Sequence, residues 1–125
     1  MIKLVNMLVR ADDLTHEEFV EYWYEEHVPL AEDLPHAKKY ATSVATDPER
    51  SAYDGVVELY FEDMGDLQAA FESDVGREVQ ADLEHFAKPD EGPTLYVEET
   101  VQFDETADAA ASDSDAAADS GGDAA

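Results

Sequence analysis

Apolar positions along this chain recur at two periods, and the switches between them predict its elements. From Ile2 to Arg10 they alternate, with Ile2, Leu4 and Leu8 on one side and Val5, Met7 and Val9 on the other. Both sides are apolar, so this strand is expected at the centre of its sheet. Thr15 then opens a helix: its side chain can accept a backbone N–H at the N-cap, and Glu18 can reach back to complete a capping box. At helical spacing Phe19, Val20, Trp23, Tyr24, His27, Leu30 and Ala31 share one face, and Glu17, Glu18, Glu21, Glu25 and Glu26 take the rest. Pro29 cannot donate to the Glu25 carbonyl, so the helix is expected to end or kink at about His27.

Alternation returns from His36 to Thr46, with Tyr40, Thr42 and Val44 on one side, and again from Gly55 to Glu62. There Val57, Leu59 and Phe61 oppose Val56 and Tyr60. Between Met64 and His85 the period is helical: Leu67, Ala70, Phe71 and Val75 form a stripe that Val79, Leu83 and Phe86 continue. Ser73, Asp74 and Gly76 weaken its middle, which suggests two short helices. After the break from Lys88 to Pro93, Leu95 to Phe103 reads as a fourth strand. The order strand–helix–strand–strand–helix–strand predicts an α+β, ferredoxin-like βαββαβ sandwich with both helices on one face of an antiparallel sheet. The opposite face is also apolar and has no helix to cover it. A second copy stacked face to face is the simplest cover, so a homodimer is expected.

Charge narrows the class of partner. The 125 residues hold 32 acids against 7 bases, a net of −25. Such a surface repels nucleic acid, whose binding depends on Lys and Arg neutralising phosphates. Acids spread over a folded domain with scarce lysine fit a cytoplasm of molar salt, where self-repulsion is screened. There is no cysteine, which removes disulfides and thiolate chemistry. No apolar run is long enough to span a membrane, and MIKLVNMLVR reads as a strand rather than a signal peptide; a cytoplasmic location is expected. The domain is expected over residues 1–103. From Asp104 to Ala125 no aromatic residue and no aliphatic larger than alanine occurs, the signature of a disordered acidic tail.

Chemistry centres on His27, an imidazole in the apolar stripe close to a helix end. A histidine there is suited to proton transfer near neutrality, or is a core residue satisfied by a backbone carbonyl. Trp23, one turn earlier, shares its surroundings as core or as a stacking surface. Tyr40 and Tyr60 can aim hydroxyls at the same space, and His36 can reach its mouth. His16 reads as exposed, and His85 as a surface residue at the end of the second helical region. No HxxxH or HExxH spacing, EF-hand loop or Gly-rich phosphate loop is present, so neither a metal nor a nucleotide cofactor is indicated.

The spacing of Trp23, His27, Pro29, Leu30 and Ala31, W-x-x-x-H-x-P-L-A after an opening strand, resembles the EthD domain. Asp54 to Phe61 (DGVVELYF) and Val97-Glu98-Glu99 fit its later strands. The resemblance spans about residues 1–103. It implies a dimeric α+β barrel and a small-molecule enzyme, an oxidoreductase related to cofactor-independent monooxygenases, acting on an apolar or aromatic metabolite. It also admits a muconolactone-type isomerase, in which a helix histidine and a strand tyrosine serve the substrate. His27 and Tyr40 are the matching positions, with Trp23, Tyr60 and His36 as substrate-binding residues. The rival reading is a non-catalytic ligand-binding or accessory protein using the same pocket.

Overall fold

The alternation at the N-terminus becomes the inner strand of a sheet because both of its edges find partners. In the computed structural model, which describes residues 1–106, β1 (Ile2–Leu8) lies between β3 (Gly55–Phe61) and β4 (Thr94–Glu98), and β2 (Lys39–Val44) flanks β3. All three pairings are antiparallel, and the spatial order is β2-β3-β1-β4. Leu4 pairs with Leu59 and with Tyr96, and Tyr40 pairs with Leu59, which places these residues on one face. Helices α1 (His16–Tyr22), α2 (Val28–Ala31), α3 (Met64–Glu72) and α4 (Asp74–Leu83) complete a ferredoxin-like α+β fold. Leu4, Leu59 and Phe61 pack there against Ala31, Leu67, Ala70 and Val79. On the opposite face Val5, Met7, Val56 and Val97 are only half-buried, and Leu95 is exposed. Among the described residues no helix is long and apolar enough to cross a membrane.

Several boundaries differ from the sequence pattern, each for a local reason. Of the two outcomes expected at about His27, an end or a kink, the helix does not end but changes its winding there. After α1, whose capping box between Thr15 and Glu18 is formed as expected, residues Trp23–His27 widen into a π-helical turn, and α2 carries the chain through Pro29. The Val28 N–H reaches back to the Trp23 carbonyl, five residues away. A widened turn is one way a helix accommodates a residue that cannot donate. Strand β2 begins at Lys39 rather than His36, because His36 sits at φ 69°, a left-handed turn conformation that cannot enter a ladder. Strand β4 ends at Glu98 rather than Phe103 because its register runs out: Glu98 already faces Ile2, the first residue of β1. Val101 and Phe103 are left exposed. The suspected division of the second helical region is real. Ser73 caps α4 by accepting the Gly76 N–H, and a Cβ at Gly76 would lie 2.2 Å from the Ala70 carbonyl oxygen. The tail expected from Asp104 falls outside the described residues from position 107 onward.

A second core cluster, Leu8, Phe19, Trp23, Phe86 and Ala87, lies beside the first. Trp23 is fully buried, and its ring is admitted by the absence of a side chain at Gly55: a Cβ there would come within 2.5 Å of Cζ3. Substituting Gly55→Ala should therefore force the indole to move and cost about 1–3 kcal/mol of unfolding free energy, the usual scale of overpacking. Urea denaturation of the variant checks this, and an unchanged midpoint would show that the indole does not need the space.

Candidate active site

A residue every four positions along the first helical segment is buried: Phe19, Trp23, His27 and Ala31. His27 is the polar member of that series. Taking an imidazole out of water is costly unless its polar atoms find partners. One partner comes from α4, where Asp82 Oδ2 lies 2.8 Å from His27 Nδ1. A carboxylate oxygen accepts, so Nδ1 carries the proton and Nε2 is left with a lone pair. Among the described residues Nε2 has no hydrogen-bond partner, and His27 lines a cavity of about 470 Å³ between the sheet and the helices. The Phe86 ring packs against the imidazole, with centroids 4.9 Å apart and the planes tilted by 53°.

The cavity has an apolar floor of Leu4, Val57 and Leu59 from the strands and an apolar wall of Leu67, Phe71, Val79 and Leu83 from α3 and α4. Its polar groups are neutral amides and hydroxyls at Asn6, Gln68, Gln80, Thr94 and Tyr96, together with His27 and Glu72. Among the described residues no Lys or Arg lines it. Asn6 is the one polar side chain on the helix-facing side of β1. Its Nδ2 donates to Thr94 Oγ1 at 2.8 Å, which leaves the threonine hydroxyl proton free to donate into the cavity.

Burial lowers the His27 pKa below the usual 6.5, and the Asp82 carboxylate opposes that shift without cancelling it. The imidazole is therefore neutral at pH 7 and able to accept a proton. Asp82 is itself held from the other side. The Tyr22 hydroxyl donates to Oδ1 at 2.8 Å, and His85 Nδ1 lies 3.2 Å from that hydroxyl and 3.6 Å from Oδ1.

The other residues singled out in the sequence do not join this cavity. Trp23 is one turn from His27 but is enclosed by Phe19, Tyr24 and Phe86. Its Nε1–H faces the Tyr40 hydroxyl without meeting an acceptor in hydrogen-bond geometry. Tyr40 lies on the helix-facing side of the sheet but outside the cavity lining. Burial pushes its pKa up to about 12, against a smaller opposing pull from the nearby indole. Tyr60 is on the wrong face: it neighbours Leu59 in β3, so its side chain points oppositely, with Lys3 Nζ 3.3 Å from its hydroxyl and Lys39 over its ring. His36 is exposed in its turn, 3.9 Å from Asp66, and does not reach the cavity. His16, expected to be exposed, is half-buried, with its Nδ1 3.1 Å from Asp54 Oδ1.

Asp82 is the member of this candidate site that sequence reasoning passed over. The signal was present: Val79, Asp82, Leu83 and Phe86 follow the spacing of one helical stripe, so an acid occupied a core-facing position just as His27 did. Among the described residues no group of three or more His, Asp or Glu side chains is placed to hold a metal ion.

The EthD domain pattern matches residues 11–90, a stretch that contains both His27 and Asp82. The chain belongs to the EthD family. An uncharacterised 11.0 kDa protein from the thcB–thcC intergenic region of Rhodococcus erythropolis is 34% identical over 87 residues, covering 66% of this chain and 82% of that one. An EthD family protein from Bacillus halodurans superposes with a TM-score of 0.69 at 24% identity, over 80% of this chain and 99% of its own. SnoaB, a cofactor-independent oxygenase from Streptomyces nogalater, has the same fold, with a TM-score of 0.58 at 12% identity over 83% and 95% of the two chains.

The depressed His27 pKa carries a signed consequence for stability. Unfolding returns the imidazole to its ordinary pKa, so between the two values the unfolded chain holds more protons and acidification favours it. Unfolding free energy should fall as pH drops below 6.5 and level off once pH passes below the folded-state pKa. Denaturation of wild type and His27→Gln across pH 5–8 checks this. The glutamine variant should show a shallower fall through that window, and parallel curves would contradict the assignment.

Proposed function

We propose that this EthD family protein is a homodimeric small-molecule enzyme in which His27 Nε2 removes a proton from a neutral, apolar or aromatic metabolite. The observation that carries the reading is the pairing of a proton-bearing Nδ1 held by Asp82 with an unpartnered Nε2 open to an apolar cavity. That is the arrangement a general base requires: a fixed tautomer, a lowered pKa and access to the substrate. The half-buried apolar sheet face supplies the surface on which a second copy would sit.

Proton removal leads to oxidation without a reductant when the substrate itself is electron-rich. A methylene made acidic by flanking aryl rings and a carbonyl conjugated through them, as in an anthrone, gives its proton to Nε2, and the carbanion passes electrons to dioxygen. One oxygen atom stays as the new carbonyl and the other leaves as water. The fold shared with a cofactor-independent oxygenase supports this oxidoreductase reading. Isomerisation of a lactone needs the same base, followed by return of the proton to another carbon. Substrates of the muconolactone type carry a carboxylate, and this cavity opposes one: it has no Lys or Arg, it has Glu72 in its wall, and the chain's net charge is −25. A neutral ligand fits.

The test is deuterium uptake from solvent into a panel of neutral anthrones, quinols and lactones in high salt under nitrogen, followed by oxygen consumption in air. Wild type should exchange one compound class, and His27→Gln should slow that exchange by about 10²–10⁴-fold, the usual contribution of a positioned base. Saturable binding without exchange in any class would instead make the protein a ligand-binding or accessory member of its family.

A further inference from the structure

Asp82 accepts from more than one side, and the groups on its outer side have no part yet in the chemistry. Tyr22 comes from α1 and His85 from the residues just after α4, and both converge on Oδ1, while Oδ2 receives His27 Nδ1–H. The three partners thus divide the two oxygens of one carboxylate. The Tyr22 hydroxyl has a single proton and spends it on Asp82 at 2.8 Å, so at 3.2 Å its oxygen is an acceptor for His85 Nδ1–H. Burial and the bond to Asp82 push the Tyr22 pKa up to about 12, which keeps this donor protonated. The tyrosine ring is clamped by Phe86, stacked with centroids 5.3 Å apart, and meets His85 edge-on at 6.3 Å. Phe86 also packs on His27. One aromatic ring therefore fixes both the base and the group that holds its carboxylate.

We propose that Tyr22 and His85 are positioning residues for His27: together they hold Asp82 by Oδ1, so that Oδ2 stays directed at Nδ1 and the His27 lone pair stays on the cavity side. A carboxylate on a helix has a soft terminal torsion and can turn either edge toward a neighbour. Without the Tyr22 hydroxyl, which His85 holds in place, Asp82 would be free to rotate into solvent, where its side chain is already partly exposed. His27 would then lose the bond that selects its tautomer. The chain His27–Asp82–Tyr22–His85 also runs outward, from an imidazole with a side-chain exposure of 6% to one of 66%. The charged groups around its outer end are Asp82 itself and Glu26, which faces Tyr22 from the π-helical turn; no Lys or Arg competes for the carboxylate through a hydrogen bond or ion pair among the described residues.

This proposal rests on the reading of His27 as the base, but it is tested without substrate. Nitrogen-15 histidine spectra of the full-length protein at pH 7.5 report which ring nitrogen of His27 carries its proton. Wild type should show predominantly Nδ1–H. Tyr22→Phe, which removes only the hydroxyl, should reduce the ratio of Nδ1–H to Nε2–H by about fivefold, as expected for loss of one supporting hydrogen bond. His85→Ala, at an exposed position that does not endanger folding, should move the ratio the same way by less, and His85→Gln, which retains a donor, should restore it. Thermal unfolding measured in parallel separates this from a merely structural tie between α1 and α4, which would lower Tm and leave the tautomer unchanged. A Tyr22→Phe spectrum with the wild-type ratio overturns the positioning role while leaving His27 as base. A wild-type spectrum with the proton on Nε2 overturns the base reading itself.

Discussion

Burying an imidazole among aromatic and aliphatic side chains is the constraint on which the rest of this structure turns. An unpartnered polar group there would cost roughly 1–3 kcal/mol, a sizeable part of a small domain's stability. The fold meets that cost with a carboxylate from a different helix, which ties residues 55 positions apart in sequence. Because the carboxylate satisfies only one ring nitrogen, the other keeps its lone pair. The same bond that makes His27 tolerable in the core also fixes its tautomer beside the cavity.

The backbone around His27 serves this placement. Pro29 removes a donor two residues beyond it, and the helix responds with a π-helical turn over Trp23–His27 instead of ending. Trp23 fills the space above Gly55, and Phe86 packs against the imidazole. The tryptophan and the proline in the family's W-x-x-x-H-x-P spacing thus have a structural reading. One fixes the height of the helix over the sheet, and the other accompanies the widened turn that presents the histidine.

Much of this was legible from periodicity. Strand alternation located β1 at the centre, the capping box fixed the start of α1, and the weak middle at Ser73 marked the break between α3 and α4. His27 stood out because a polar side chain interrupted an apolar stripe. Asp82 interrupted the second stripe in the same manner but lay among so many acids that its position went unread. Tyr60 shows the opposite error. Its alternation with Leu59 placed it on the uncovered face, yet its chemistry suggested the pocket, and the pleat decides. The ends of β2 and β4 were illegible for a different reason: they depend on the φ of His36 and on where β1 begins, and neither is a property of the local pattern.

The proposed function, a base acting on a neutral molecule with an acidic C–H or O–H bond, rests on the apolar cavity lining and on the fixed tautomer of His27. The most direct measurement is a crystal structure of the protein with such a molecule, a neutral anthrone or quinol, bound in the cavity. The account predicts that the carbon or oxygen bearing the labile proton lies within about 3–3.5 Å of His27 Nε2, the separation of a near-attack pose. A ligand anchored elsewhere, or one whose only approach to His27 is through ring carbons, would contradict it.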